Sequence, residues 1–115
     1  MSGQTDNKAM LKAFELAQLL RGTGEKEFPS QLQCTFFYIC AHEGCLQEEV
    51  QKATCQTSSS VSRNVTWLGP RHRTGKDGLQ FIKRERDLND YKKYRLYLTT
   101  KGKLFKQAME NILNS

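Results

Sequence analysis

A run of hydroxyl side chains followed by an arginine and an asparagine has residue types and a spacing that suggest chemistry. It begins at Thr57, contains four serines and ends at Val65. Val61, Val65 and Leu68 recur at helical spacing, so the run is predicted to form a helix with one buried face, capped by Thr57 or Ser58. The other face then carries Ser58, Ser59, Ser60, Ser62, Arg63, Asn64 and Trp67.

These residue types suit contact with the edges of nucleic-acid bases. Small hydroxyl side chains let a helix approach a duplex closely, an arginine can bridge two acceptors of guanine, and an asparagine can pair with adenine. The exposed face of this helix is therefore a candidate for insertion into the major groove of DNA.

Basic residues are concentrated in the same part of the chain. Residues 63–106 contain 13 Lys and Arg against 4 Asp and Glu, whereas the other residues contain 5 against 8. The net charge of +6 therefore comes from residues 63–106. A cluster of Lys and Arg side chains favours phosphate binding, because it releases condensed counterions from the nucleic acid. A solvated basic face without a nucleic-acid partner is the alternative.

Two helices are predicted before a short third one. The first begins after Thr5 or Asp6 and ends at Arg21, and its apolar residues are spread widely enough to suggest burial on two sides. The second follows Pro29, ends near Gly44, and buries Leu32, Phe36, Ile39 and Cys40. The third has Leu46, Val50 and Ala53 at helical spacing.

A β-hairpin and a last helix are predicted after the serine-rich helix. Tyr94, Leu96 and Leu98 alternate with polar residues as in a strand, and the turn is Asp87-Leu88-Asn89-Asp90. The hairpin is preceded by a cationic loop from Pro70 to Gly78 that carries Arg71, Arg73 and Lys76. Thr99 or Thr100 caps the last helix.

Length and composition predict one domain of 115 residues in a soluble, cytoplasmic protein. No apolar run approaches the roughly 20 residues that span a bilayer, and the polar stretch from Met1 to Asn7 lacks a signal-peptide pattern. Within the domain, residues 1–21 form an N-terminal dimerisation helix, residues 30–98 the helices and hairpin, and residues 99–115 a C-terminal helix.

The four cysteines do not form a familiar metal or disulfide pattern. Cys40, His42, Cys45 and Cys55 could in principle make a zinc site, but buried reduced thiols, with Cys34 and Cys40 on an apolar helix, are the preferred interpretation. A redox-sensing cysteine stays open, because reactivity needs a lowered thiol pKa. No metal and no cofactor are expected.

Enzyme chemistry is not expected either. His42 and His72 lie in different segments, and neither has a Ser or Cys nucleophile at a recognisable spacing. Gly75-Lys76 is not a phosphate-binding loop, because the preceding glycine and the following Ser or Thr are missing.

The order of elements resembles the MarR family of winged helix-turn-helix proteins. The similarity rests on the Ser60-Val61-Ser62-Arg63 run, on residues 83–90, and on Leu98-Thr99-Thr100-Lys101-Gly102, and it covers about residues 30–110. The resemblance implies a mainly α fold with a β-hairpin wing, in a short member of the kind a phage or plasmid could encode. It also implies a DNA-bound homodimer, and it leaves open a small-molecule effector, for which no residue identifies a ligand.

Carried over to this sequence, the resemblance implies that Ser59, Ser60, Ser62, Arg63 and Asn64 face the major groove. Arg84, Arg86, Lys92 and Lys93 would lie near the phosphate backbone and the minor groove, whose negative potential favours cations. The sequence departs from the family in three places. Tyr91 stands where an arginine is usual, the loop from Pro70 to Gly78 is longer, and an additional C-terminal helix is lacking.

Three functions fit these observations. The first is a homodimeric, sequence-specific regulator of transcription whose two recognition helices meet successive major grooves. The second is a replication or partition factor that binds DNA. The third is a winged helix that binds RNA or an acidic protein, since a fold alone does not fix a function.

Overall fold

The computed structural model describes residues 7–23, 28–70 and 77–115, which form five helices and a small sheet. The helices are α1 (Lys8–Arg21), α2 (Ser30–Ala41), α3 (Gln47–Thr54), α4 (Ser58–Leu68) and α5 (Thr100–Leu113). The strands are β1 (Cys45–Leu46), β2 (Ile82–Arg86) and β3 (Tyr94–Leu98). The predicted fold class, a mainly α winged helix-turn-helix, is confirmed.

The sheet has three antiparallel strands in the order β1-β3-β2. Ile82 lies opposite Leu98, and Cys45 lies opposite Leu96. The two-residue β1 was missed because it is too short to show alternation. The chain turns into it at Gly44, whose φ of 89° lies in the left-handed region that glycine adopts without strain.

Side-chain caps start three of the helices. Asn7 caps α1, because its side chain accepts a hydrogen bond from the Met10 amide at 3.1 Å, and the predicted caps Thr5 and Asp6 lie outside the described residues. Thr57 and Thr99 cap α4 and α5 as predicted. None of the helices in the described ranges is long and apolar enough to cross a membrane.

The core is centred on α2, whose Leu32, Phe36 and Ile39 are fully buried as predicted. The Phe36 ring stacks on Phe81 at 5.3 Å, and Phe81 stacks on Phe105 of α5 at 4.7 Å, so α2, the segment before β2 and α5 share one aromatic cluster. Val61, Val65 and Leu68 of α4 join the same core. Ala53, which shares the helical spacing of Leu46 and Val50 in the sequence, is exposed.

Candidate nucleic-acid interface

The exposed face of α4 lies mostly at its N-terminal half. Ser58, Ser59, Ser62 and Arg63 are exposed, and Ser60 is half-buried. Their backbone is held by the Thr57 cap, whose Oγ1 accepts from the Ser60 amide at 3.1 Å. The structure therefore brings together most of the hydroxyl and guanidinium groups that the sequence indicated on this helix.

A short hydrogen-bonded chain positions Arg63 on that face. Thr57 Oγ1 donates to Ser60 Oγ at 3.1 Å, and Arg63 Nη2 donates to the same oxygen at 3.2 Å. The contact is with a neutral hydroxyl, so the guanidinium keeps its charge and its other donors for a partner. A hydroxyl is also a weaker acceptor than a carboxylate or phosphate, so the arginine can exchange it for an external acceptor.

The prediction that Asn64 lies on the exposed face was wrong. Asn64 is 8% exposed, and its amide donates to Gln56 Oε1 at 2.7 Å instead of facing solvent. Trp67 is half-buried and packs against the core. Asn64 lies toward the buried side of α4 because Gln56, in the turn between α3 and α4, meets it there.

The hairpin formed by β2, β3 and the loop of residues 87–93, here called the wing, carries the second group of cations. Arg84 and Arg86 are exposed on β2, and their Cζ atoms lie 4.7 and 4.8 Å from the ring centre of Tyr94 on β3. Lys92 is exposed in the loop, and in the described part of the chain its ammonium forms no ion pair. These three cations are therefore available to an anionic partner.

Lys93 differs from Lys92 because a carboxylate already binds it. Its Nζ lies 2.9 Å from Glu48 Oε1 on α3, and this hydrogen bond raises the pKa of Lys93. Both side chains are about half exposed. The contact ties the wing to α3, and a phosphate would have to compete with Glu48 for this lysine.

The wing loop is organised by Asp87, which is buried although it was predicted only as a turn residue. Its Oδ2 accepts from the amides of Asn89 at 3.1 Å and Asp90 at 3.0 Å, while Oδ1 accepts from Arg95 Nε at 2.6 Å. The Arg95 guanidinium is the main reason that the pKa of Asp87 is lowered. Arg95 also donates to the Gly44 carbonyl at 2.8 Å, so one ion pair joins the wing loop to β1.

The predicted loop contacts Arg71, Arg73 and Lys76 lie outside the described residues. On the described side of that loop, Val65, Thr66 and Pro70 line a recess of about 430 Å³ together with Lys83 and Arg84 of β2. A second recess, of about 180 Å³, joins Ser58 of α4 to Tyr94 and both loop lysines. The wing cations and α4 therefore border common recesses.

The cysteines are split between buried and exposed positions. Cys40 and Cys45 are buried, and burial raises the thiol pKa to about 12 and about 11 respectively, so both stay protonated near neutral pH. Cys34 was expected to be buried on the apolar helix, and it is exposed, as is Cys55. The described residues contain no group of three or more potential metal ligands.

Sequence analysis missed two residues that position side chains of the interface. Tyr94 was taken only as part of a strand alternation, and its position beside Arg84 and Arg86 depends on the strand register. Gln56 lies in the turn between α3 and α4, where it is buried and joins Asn64 to Thr35. A polar residue between two amphipathic helices gives no periodic signal, so only the three-dimensional structure identifies it.

A separate apolar groove shares no lining residue with these two recesses. It has a volume of about 250 Å³ and lies between α1, α2 and α5, where Leu16, Phe37, Met109 and Leu113 line it. Its polar lining groups are few and include Lys106 and Glu110.

Comparison with known proteins agrees with this architecture. No family model matches the chain, and no curated protein sequence matches it. Among solved structures, the S. aureus MepR–DNA complex has a TM-score of 0.69 and 24% identity, over 93% of this chain and 77% of that one. A MarR transcriptional regulator from Methanosarcina mazei Go1 has a TM-score of 0.68 and 19% identity, over 93% of this chain and 69% of that one.

Streptococcus pneumoniae FabT in complex with DNA has a TM-score of 0.67 and 23% identity, over 92% of this chain and 68% of that one. Similarity at these identities concerns the fold. The chain therefore has the winged helix-turn-helix fold of the MarR-type transcriptional regulators.

Proposed function

We propose that this protein is a sequence-specific regulator of transcription that binds double-stranded DNA as a homodimer. The N-terminal half of α4, here called the recognition helix, enters the major groove through Ser59, Ser62 and Arg63. The wing contacts the phosphate backbone and the minor groove through Arg84, Arg86 and Lys92. Arg71, Arg73 and Lys76 are proposed as additional phosphate contacts.

One observation carries this proposal. Ser58 at the N-terminus of α4 borders one recess with Lys92 and Lys93, and Thr66 borders a second recess with Arg84, so hydroxyl groups of α4 adjoin cations of the wing that are suited to phosphates. Arg63, Arg84, Arg86 and Lys92 form no ion pair within the described residues, so binding an anion requires no internal ion pair to break. Two of the structural neighbours, MepR and FabT, were solved as DNA complexes, which supports a duplex as the partner.

The homodimer is proposed from an apolar surface on the two terminal helices. Met10 is 62% exposed, Phe14 60% and Leu104 69%. The helices that carry them, α1 and α5, pack together, and Lys12 Nζ donates to the Leu113 carbonyl at 3.3 Å. A second copy would cover these side chains, which soluble proteins generally keep from forming large exposed patches.

The apolar residues of the first and last helices predict a dimer contact through Phe14, Leu20, Phe105 and Ile112, but two of these residues lie in the core. Leu20 is buried within its own chain at 1% exposed, and Phe105 is half-buried in the aromatic cluster of the core. The proposed contact is therefore centred on Met10, Phe14 and Leu104, and Ile112 of α5 is half-buried.

Selection of binding sites from a random duplex library, with structured RNA as competitor, tests the function. A regulator should enrich a pseudo-palindromic site with half-sites about one helical turn apart, and duplex should outcompete RNA. Enrichment without symmetry would favour a replication or partition factor. Preference for RNA, or no binding to either nucleic acid, would contradict the proposal.

A further inference from the structure

Two arginines of the wing share a single aromatic ring. Arg86 lies directly across the hairpin from Tyr94, and Arg84 lies two residues away on the same strand, so all three side chains project from one face of the sheet. The Cζ atoms of Arg84 and Arg86 lie 4.7 and 4.8 Å from the Tyr94 ring centre. These distances are within the range of cation–π contacts.

Neither arginine is neutralised within the described residues. Glu85 lies between them in sequence but projects from the opposite face, where its carboxylate is 3.7 Å from Lys83 Nζ. Arg86 Nη1 donates instead to the backbone carbonyl of Tyr91 at 2.5 Å, which is a neutral acceptor. Two positive charges therefore lie within 5 Å of one ring centre, and neither has a carboxylate partner among the described residues.

An anionic partner would stabilise both arginines further. The ring carries no net charge, so it attracts each guanidinium group without neutralising it. DNA phosphates that contact the two groups would neutralise them and accept several of their hydrogen bonds. Because the ring already restricts both side chains, less rotamer entropy is lost when the phosphate binds.

The ring also lies on the side of the wing that meets the recognition helix. Tyr94 borders one recess with Ser58, and Arg84 borders the other with Val65 and Thr66. A DNA duplex bound to α4 would therefore lie close to Tyr94 and Arg84.

We infer that Tyr94 is a positioning residue that preorganises Arg84 and Arg86 as a two-arginine site for DNA phosphates. This inference rests on the proposed function and extends it, because it assigns wing affinity to a residue that need not touch DNA. The arginines contact the phosphates, and the tyrosine ring reduces the rotamer entropy that the arginines lose on binding.

The test compares full-length Tyr94→Leu, Tyr94→Phe and wild-type proteins on the selected duplex at several salt concentrations. Tyr94→Leu should weaken binding roughly tenfold, because two long side chains must be ordered on binding. The slope of log affinity against log salt should change little, since the same phosphates are contacted in the complex. Tyr94→Phe keeps the ring and should bind like wild type.

Tyr97→Leu is the matched control, because Tyr97 is on the same strand but projects from the opposite face and lies against Gly44. It should leave affinity within about twofold of wild type, while thermal unfolding reports whether either substitution disturbs the fold. Equal weakening by Tyr94→Leu and Tyr97→Leu would overturn the inference.

A double-mutant cycle with Arg84→Gln and Arg86→Gln separates positioning from a general structural role. Once both arginines are gone, Tyr94→Leu should have no further effect on affinity. A tenfold loss in that background would show that the ring acts on its own and would overturn the inference. If wild type bound no duplex, the proposed function would fail; if wild type bound and Tyr94→Leu matched it, only this inference would fail.

Discussion

The Asn64 side-chain amide on α4 donates a hydrogen bond to Gln56 Oε1 at 2.7 Å, and both residues are buried. Gln56 Nε2 in turn donates to Thr35 Oγ1 on α2 at 2.8 Å, so a polar link runs from the recognition helix to the core helix. Buried polar groups with specific partners favour one packing arrangement over its neighbours. This link therefore helps fix the orientation in which α4 presents its exposed face.

We expect Asn64→Leu to reduce the free energy of unfolding by about 1–3 kcal/mol, because the Gln56 carbonyl would be buried without its donor. Urea unfolding of the two proteins measures the difference. Ser62→Ala is the control, since Ser62 is exposed on the same helix and should change stability by less than about 0.5 kcal/mol. Equal stability of Asn64→Leu and Ser62→Ala would show that the link contributes little.

The apolar spacings in the sequence predicted the helices and the core well. Leu32, Phe36 and Ile39 on α2 and Val61 and Val65 on α4 repeat with the helical period, and each is buried where that period places it. A hairpin with an acidic turn could also be predicted, because strand alternation and turn residues are local signals.

The details of the site depended on contacts between distant residues. Asn64 is buried because Gln56 meets it across a turn, and Lys93 is paired because Glu48, 45 residues earlier, lies beside it. Tyr94 meets two arginines only in the observed strand register. No periodicity encodes these relationships, so sequence analysis assigned Asn64 to the wrong face and treated Lys92 and Lys93 as equivalent.

The Asp87–Arg95 pair should make the wing sensitive to acid. The pKa of Asp87 is lowered on folding, chiefly by Arg95, so the pair stabilises the fold above the unfolded-state pKa of about 3.9 and loses this contribution as pH falls through the folded pKa. Asp87→Asn should therefore be less stable than wild type at pH 7. Denaturant unfolding should show that difference shrinking below about pH 4, whereas a constant difference would exclude this titration as its source.

Lys92 and Lys93 should differ in their contribution to DNA binding. Lys92→Ala should lower the slope of log affinity against log salt by about 1 if its ammonium contacts one phosphate. Lys93→Ala should lower the slope less, because Glu48 competes for that ammonium. Lys8→Ala on α1 is the charge-matched control for salt titrations by fluorescence anisotropy. An unchanged slope in the Lys92→Ala, Lys93→Ala double variant would remove both lysines of the wing loop from the interface.

The proposed dimer should depend on Phe14. Phe14→Glu would place a charge in an apolar contact between copies, so sedimentation at micromolar concentration should change from dimer to monomer while helical circular dichroism is retained. Leu88→Glu makes the same kind of change at a wing residue that is 96% exposed, and it should leave the dimer intact. A wild-type protein that sediments as a monomer would contradict the proposed assembly.

The most direct test of sequence-specific DNA binding is the effect of Arg63→Ala on the selected duplex and on the selected motif. If Arg63 contacts a guanine edge, the substitution should weaken specific binding by about 1–3 kcal/mol and relax the preference at one base position in each half-site. Arg21→Ala, which removes an exposed arginine from α1, should alter neither the affinity nor the motif. An unchanged affinity and motif for Arg63→Ala would contradict the account, because the most versatile base-contacting group on the recognition helix would then play no part.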